Sequence, residues 1–135
     1  MESRMSEYLL DSNVLIQHLR GHGATTDLLT RSALNGPLGI AAICRTEVIA
    51  GMRDKERAAT MRFLDALACY PLDASVADRA GELIRHSRCR GIMIDVPDAI
   101  IAATALEHGL VLLTYNARHF PIPELKLFQD MPLLG

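Results

Sequence analysis

Apolar residues along the chain follow two rhythms. Four runs, Tyr8-Leu9-Leu10, Leu38-Gly39-Ile40-Ala41-Ala42, Ala68-Cys69-Tyr70-Pro71-Leu72 and Leu110-Val111-Leu112-Leu113-Thr114, are short and show no polar alternation. Such runs predict strands buried on both faces. Between them, apolar positions recur every three or four residues. Val76, Ala80, Leu83 and Ile84 line one side of a helix predicted over 75–87, and Met61, Leu64 and Leu67 mark another over 56–67. Further helices are predicted over 12–19, 25–34, 45–52 and 96–108. Gly21 and Gly23 close the first of these, Asn35-Gly36-Pro37 the second and Gly109 the last. Leu125-Lys126-Leu127-Phe128 reads as a short final strand.

Strands that alternate with helices predict an α/β fold, with a central parallel sheet of about four to five strands and helices on both faces. At 135 residues, with no repeat, linker or low-complexity segment, the expected organisation is one domain over 1–135. Half of the residues are hydrophobic, but there is no Trp and only three Tyr and three Phe. The core is therefore expected to be aliphatic. Met52, Met61, Leu64 and Leu67 serve either that core or a dimer face, and spacing does not separate the two.

The formal net charge of −2 denies the chain the strongly basic surface of many nucleic-acid binders, although a local basic patch would suffice to hold a backbone. Cys44, Cys69 and Cys89 are odd in number and lack C-x-x-C spacing, which argues against a disulfide framework or a zinc ribbon. Reduced thiols suit a cytoplasmic protein. The opening Met-Glu-Ser-Arg-Met-Ser-Glu does not have the form of a secretion signal, and no apolar stretch has the length of a membrane span. The expectation is a soluble cytoplasmic protein with no membrane partner.

Candidate chemistry gathers where an open α/β sheet binds ligands, beyond the carboxyl ends of its strands. The first run ends at Asp11. Glu47 follows the second within a few residues, in the expected first turn of its helix. Asp98 stands in the first turn of the helix before the fourth run, which ends at Thr114 with Asn116 just beyond. Carboxylates brought together repel and raise one another's pKa. Mg²⁺ or Mn²⁺ removes that conflict, taking hard oxygen ligands and retaining open positions for phosphate. The chemistry implied is phosphodiester hydrolysis. Each acid also has a purely structural role open to it. Asp11 suits a helix cap and Glu47 a helix dipole, while Asp95-Val96-Pro97-Asp98 reads as a helix start with Asp95 as its cap. Their joint placement favours a site.

Four segments resemble the motifs of PIN domains, in the family's order and nearly end to end. Leu9-Leu10-Asp11-Ser12-Asn13-Val14-Leu15-Ile16 resembles the first motif and Thr46-Glu47-Val48-Ile49-Ala50-Gly51 the second. Asp98-Ala99-Ile100-Ile101-Ala102-Ala103-Thr104-Ala105 resembles the third, and Leu112-Leu113-Thr114-Tyr115-Asn116-Ala117-Arg118-His119-Phe120 the fourth. Within that family the chain is similar to the VapC-type toxins of toxin–antitoxin pairs. The resemblance implies a Mg²⁺- or Mn²⁺-dependent endoribonuclease that cleaves RNA with a metal-activated water. It also implies a homodimer and a cognate antitoxin whose tail enters the active-site groove. Carried over, Asp11, Glu47 and Asp98 are metal ligands, and Asn116 orients water or phosphate. Ser12, Asp95 and Thr114 are candidates for an outer ring of supporting groups. Many members carry a fourth acid near the place held here by His119, which reads first as a solvated loop residue.

Arg85-His86-Ser87-Arg88-Cys89-Arg90-Gly91 is the densest basic segment. Arg85, Arg88 and Arg90 suit either phosphate contacts or the favourable decoration of a helix C-terminus. Arg118 and Arg45 adjoin site residues and are further candidates for RNA contact. With few aromatics, base stacking is expected to contribute little. A haloacid-dehalogenase-type phosphatase would need a second Asp where this chain has Asn13. The remaining alternative is a catalytically inactive PIN-like domain that binds RNA or protein. Three retained acids favour the enzyme.

Overall fold

Leu9 and Leu10 are both sealed from solvent, and successive strand residues point to opposite faces, so the sheet that contains them is covered on both sides. The computed structural model describes residues 6–134. Residues 1–5, most of the stretch read against a secretion signal, lie outside the described residues, as does residue 135. Four strands, β1 (Tyr8–Leu10), β2 (Gly39–Ala41), β3 (Ala68–Tyr70) and β4 (Val111–Leu113), run parallel in the order β3-β2-β1-β4. Parallel neighbours need crossovers. Helices α1 (Ser12–Leu19) and α2 (Gly23–Ser32) connect β1 to β2, and α3 (Ala42–Gly51) and α4 (Arg57–Asp65) connect β2 to β3. Helices α5 (Ala74–Cys89) and α6 (Val96–His108) then carry the chain past β2 and β1 to β4. Strand order therefore reverses between β1 and β4, and their carboxyl ends flank a topological switch point.

The expected fifth strand, Leu125–Phe128, shrinks to one bridge between Leu127 and Leu112. Leu112 N–H donates to the Lys126 carbonyl at 2.8 Å and Phe128 N–H to the Leu112 carbonyl at 2.8 Å. Pro121, Pro123 and Pro132 flank this stretch without a backbone donor, which leaves little chain able to pair. Among the described residues the buried apolar core is aliphatic apart from Phe120 and Cys44. α6 is buried without a break from Ala99 to Ala105, packs against β2, β4 and α5, and ends at Gly109 with φ 65°. A left-handed residue there suits glycine.

Helix α3 starts earlier than its sequence suggests. Ala41 ends β2 in an extended conformation and Ala42 is already helical. The two alanines expected in the strand are thus divided between strand and helix, and Glu47 falls in the second turn of α3, away from its N-terminal dipole.

Candidate active site

Leu10 and Leu113 pair in register, so the next residues, Asp11 and Thr114, emerge side by side at the switch point. Asp11 N–H continues the ladder, donating to the Leu113 carbonyl at 3.0 Å. Its carboxylate, 5 % exposed, is engaged at both oxygens. Ser12 N–H donates to Oδ1 at 2.8 Å, and the Thr114 hydroxyl donates to Oδ2 at 2.7 Å. Asp11 therefore caps α1 and holds a place in the site at once. Burial pushes its carboxyl above the ordinary carboxylate value, against the opposing hydrogen bonds from Thr114 and Ser12. A carboxylate has about four lone-pair positions, so two bonds leave acceptor capacity for a cation.

Thr114 also accepts a bond from Asn116 N–H at 3.0 Å and lies 3.5 Å from Asn13 Nδ2. The Asn13 side-chain oxygen Oδ1 accepts from Tyr115 N–H at 3.3 Å. Asn13, which the sequence used only to argue against a phosphatase, thus ties α1 to the end of β4. An Asn two residues after a strand-end Asp was the available signal.

Glu47 approaches from α3. Its Oε1 is closed off from solvent and has no hydrogen-bond partner. Cys44, one turn earlier, is fully buried with its Sγ 3.8 Å from the Leu10 carbonyl. Burial pushes the Cys44 thiol up, and the negative charges of Asp11 and Glu47 push it further. Cys44 therefore lies within the reach of both acids.

Asp98 is the third residue of α6, as expected. Burial raises its carboxyl first, then the charge of Asp11, with Asp95 and Glu47 adding to the rise. His119 opposes it, with Nδ1 3.8 Å from Asp98 Oδ2. The histidine read as solvated thus faces the site while remaining half exposed. Asp95 occupies the cap position of α6, but its side chain makes no capping bond. Pro97 removes one of the two amides that a capping side chain would take. This corrects the capping expectation and leaves the Asp95 carboxylate exposed beside Asp98.

Arg88 and Arg90 are exposed at the end of α5, just before the loop that enters α6. Arg85 pairs with Glu82 at 3.6 Å and Arg45 with Asp65 at 3.1 Å. Arg118 is exposed in the short turn after Asn116.

Asp98, raised in part by the charges of Asp11 and Glu47, and Glu47, with an orphaned buried oxygen, suit a divalent cation with hard oxygen ligands. Among the described residues no three His, Cys, Asp or Glu side chains are close enough to share one ion directly. A magnesium-like ion, which retains several waters and takes one or two carboxylates, fits this spacing better than a dehydrated tripod.

A parallel sheet with Asp11 at its switch point, and Glu47 and Asp98 on helices α3 and α6, defines the class, an α/β domain with acidic candidates at one edge. The sequence pattern of the PIN domain matches residues 8–124, and the chain belongs to that family. It is 41 % identical over 116 residues to Ribonuclease VapC10 of Mycobacterium tuberculosis, covering 86 % of this chain and 87 % of that one. It is 37 % identical over 120 residues to Ribonuclease VapC19 of the same organism, covering 87 % and 96 %. The DNA-bound VapBC structure from Salmonella typhimurium shares the fold with a TM-score of 0.82 at 23 % identity, covering 92 % of this chain and 98 % of the other.

Proposed function

We propose that this chain is a metal-dependent endoribonuclease and the toxin member of a VapBC-type toxin–antitoxin pair. The observation that carries the metal reading is Glu47 Oε1, buried without a donor, while its charge helps to raise the Asp98 carboxyl. Asp11, Glu47 and Asp98 would hold Mg²⁺ or Mn²⁺, not all of them directly but in part through its retained waters. When bound, the ion supplies a Lewis acid for the phosphodiester and its attacking water. Thr114 and Ser12 fix the Asp11 carboxylate, which spares the centre reorganisation during reaction. Asn116, exposed at the rim, is placed to orient a phosphate oxygen or a water. Arg88, Arg90 and Arg118 supply phosphate contacts that place RNA without reading its sequence, and Arg85 joins them where Glu82 releases it.

The partner reading is supported by solved structures that share the fold, one of them a toxin–antitoxin complex from Klebsiella pneumoniae and another the DNA-bound VapBC of Salmonella typhimurium. A groove of about 650 Å³ between α1, α3 and α4 is lined by Ile16, Leu19, Val48 and Met52, with Arg20 and Arg53 at its edge. Its apolar floor suits an apolar antitoxin segment, and Arg20 is the rim cation left for an acidic residue beside it, since Arg53 is paired with Glu56. We further propose a homodimer in the cytoplasm. Among the described residues no helix is long and apolar enough to cross a membrane.

The test is a calorimetric titration of the protein with Mn²⁺ beside its Asp98→Ala variant. Saturable binding to the wild type that vanishes in a folded variant is the expected result. Equal binding by both would overturn the assignment of Asp98. Absence of binding and of RNA cleavage in the wild type would favour a non-cutting RNA- or protein-binding domain.

A further inference from the structure

The segment that carries Thr114 and Asn116 has left β4 and not yet entered the turn at 117–119, so no strand or helix ladder holds it. Its middle residue is Tyr115. The Tyr115 phenol reaches back across the molecule to the hydroxyl of Thr25, in the first turn of α2, a residue with 0 % exposure. The direction of that bond follows from the next link. His22 caps α2, and its Nδ1 accepts from Thr25 N–H at 3.3 Å, so this nitrogen carries no proton. The same nitrogen lies 2.7 Å from Thr25 Oγ1, which must therefore be the donor to it. The Thr25 oxygen is then left to accept, and the Tyr115 phenol donates.

Tyr115 is consequently held at both ends, its amide by Asn13 and its phenol by Thr25. One residue before it is the hydroxyl that fixes Asp11, and one residue after it is Asn116, whose amide returns to that hydroxyl. We propose that Tyr115 is a positioning residue, anchored on Thr25, that sets the strand end bearing Thr114 and Asn116 against Asp11 and so tunes the affinity of the centre for its metal. The clamp itself is a matter of hydrogen-bond geometry, but its effect on the metal rests on the nuclease reading above. A tyrosine that only filled space would be replaced by phenylalanine at no cost to the site. Here the phenol oxygen is the working atom.

The experiment compares Tyr115→Phe, Thr25→Val, the double variant and Thr25→Ser with the wild type. It reads three quantities: Mn²⁺ affinity by calorimetry, amide hydrogen exchange residue by residue, and kcat and KM on a cleavable RNA. Tyr115→Phe and Thr25→Val should each weaken Mn²⁺ binding by about three- to tenfold, the worth of one hydrogen bond. The double variant should lose no more than either single change, because both remove the same bond. Thr25→Ser retains the hydroxyl and should restore wild-type affinity. Exchange at Tyr115 and Asn116 should accelerate while Leu9 and Leu112 stay protected, and kcat should fall with KM little changed. Wild-type Mn²⁺ affinity and unchanged exchange in Tyr115→Phe would overturn the proposal. So would a uniform loss of protection across the sheet, which would make the tyrosine a mere stabiliser. If the wild type itself binds no Mn²⁺ while exchange at 115 and 116 still accelerates in both single variants, the clamp stands and the metal reading falls.

Discussion

Thr114 donates its hydroxyl to Asp11 across 2.7 Å, joining residues 103 positions apart in the chain. The bond exists because β1 and β4 are parallel neighbours whose registers end together. It fixes a carboxylate that burial would otherwise leave costly and unsatisfied.

The Asp11→Asn variant separates stability from function. The substitution removes a buried negative charge whose proton affinity is already raised by that burial. The metal-free variant should therefore melt at or above the wild-type temperature, while its Mn²⁺ binding and RNA cleavage are lost. Thermal unfolding with and without Mn²⁺ checks both. A variant that unfolds well below the wild type would show that the Ser12 and Thr114 bonds to the carboxylate outweigh its desolvation.

The pH dependence of metal-free stability has a definite sign. Asp11 and Asp98 bind protons more readily in the folded chain than at the ordinary value of 3.8. Their contribution to stability is fully present below that value and is lost as pH rises through the folded values. A bound cation competes with those protons. The rise in melting temperature produced by Mn²⁺ should thus be largest near neutral pH and should fade as the two carboxyls become protonated. Melting curves from about pH 4 to about pH 8 test this against Asp98→Ala, which should show a weaker dependence.

The pairing of Asp11 with Thr114 was legible in the sequence because each follows an uninterrupted apolar run. Leu9-Leu10 and Leu112-Leu113 read as buried strands and are sealed from solvent, and Asp11 and Thr114 follow them directly. The turn that holds Glu47 was misplaced, since Ala42 has no side-chain chemistry to say whether it ends a strand or starts a helix. The Tyr115–Thr25 bond was invisible for a different reason. It depends on where α2 lies against the end of β4, a tertiary relation that neither periodicity nor composition encodes. The missing capping bond at Asp95 was foreshadowed by Pro97, whose lack of an amide was readable.

Arg88 and Arg90 give the proposed RNA contacts a measurable signature. Each lies exposed beside the loop that leads to Asp98. Arg88→Ala or Arg90→Ala should weaken RNA binding evenly across sequences and reduce the slope of log affinity against log salt by about one for each phosphate no longer neutralised. Mn²⁺ affinity should remain that of the wild type. Binding by filter retention at several salt concentrations checks this, and an unchanged slope would return these arginines to the role of helix-end decoration.

The cysteines report on the floor of the site. Cys69 and Cys89 are exposed and Cys44 is buried. Burial, with the nearby charges of Asp11 and Glu47, suppresses the Cys44 thiolate. A thiol reagent should therefore modify two cysteines in the folded protein and the third only on unfolding. Mass spectrometry of the labelled peptides identifies which. Labelling of Cys44 in the folded chain would mean that the wall beneath Asp11 opens readily.

The order of strands also governs when the centre can come into being. A polypeptide leaving a ribosome presents Asp11 and Glu47 first, then Asp98, and only afterwards the strand that slots in beside β1. Until that insertion, Asp11 lacks Thr114, and the first acids are an unfinished half of a cleft. On the proposed activity, a growing chain is harmless to the RNA machinery around it throughout most of its own synthesis. The danger begins when β4 closes the sheet and brings Thr114 to Asp11.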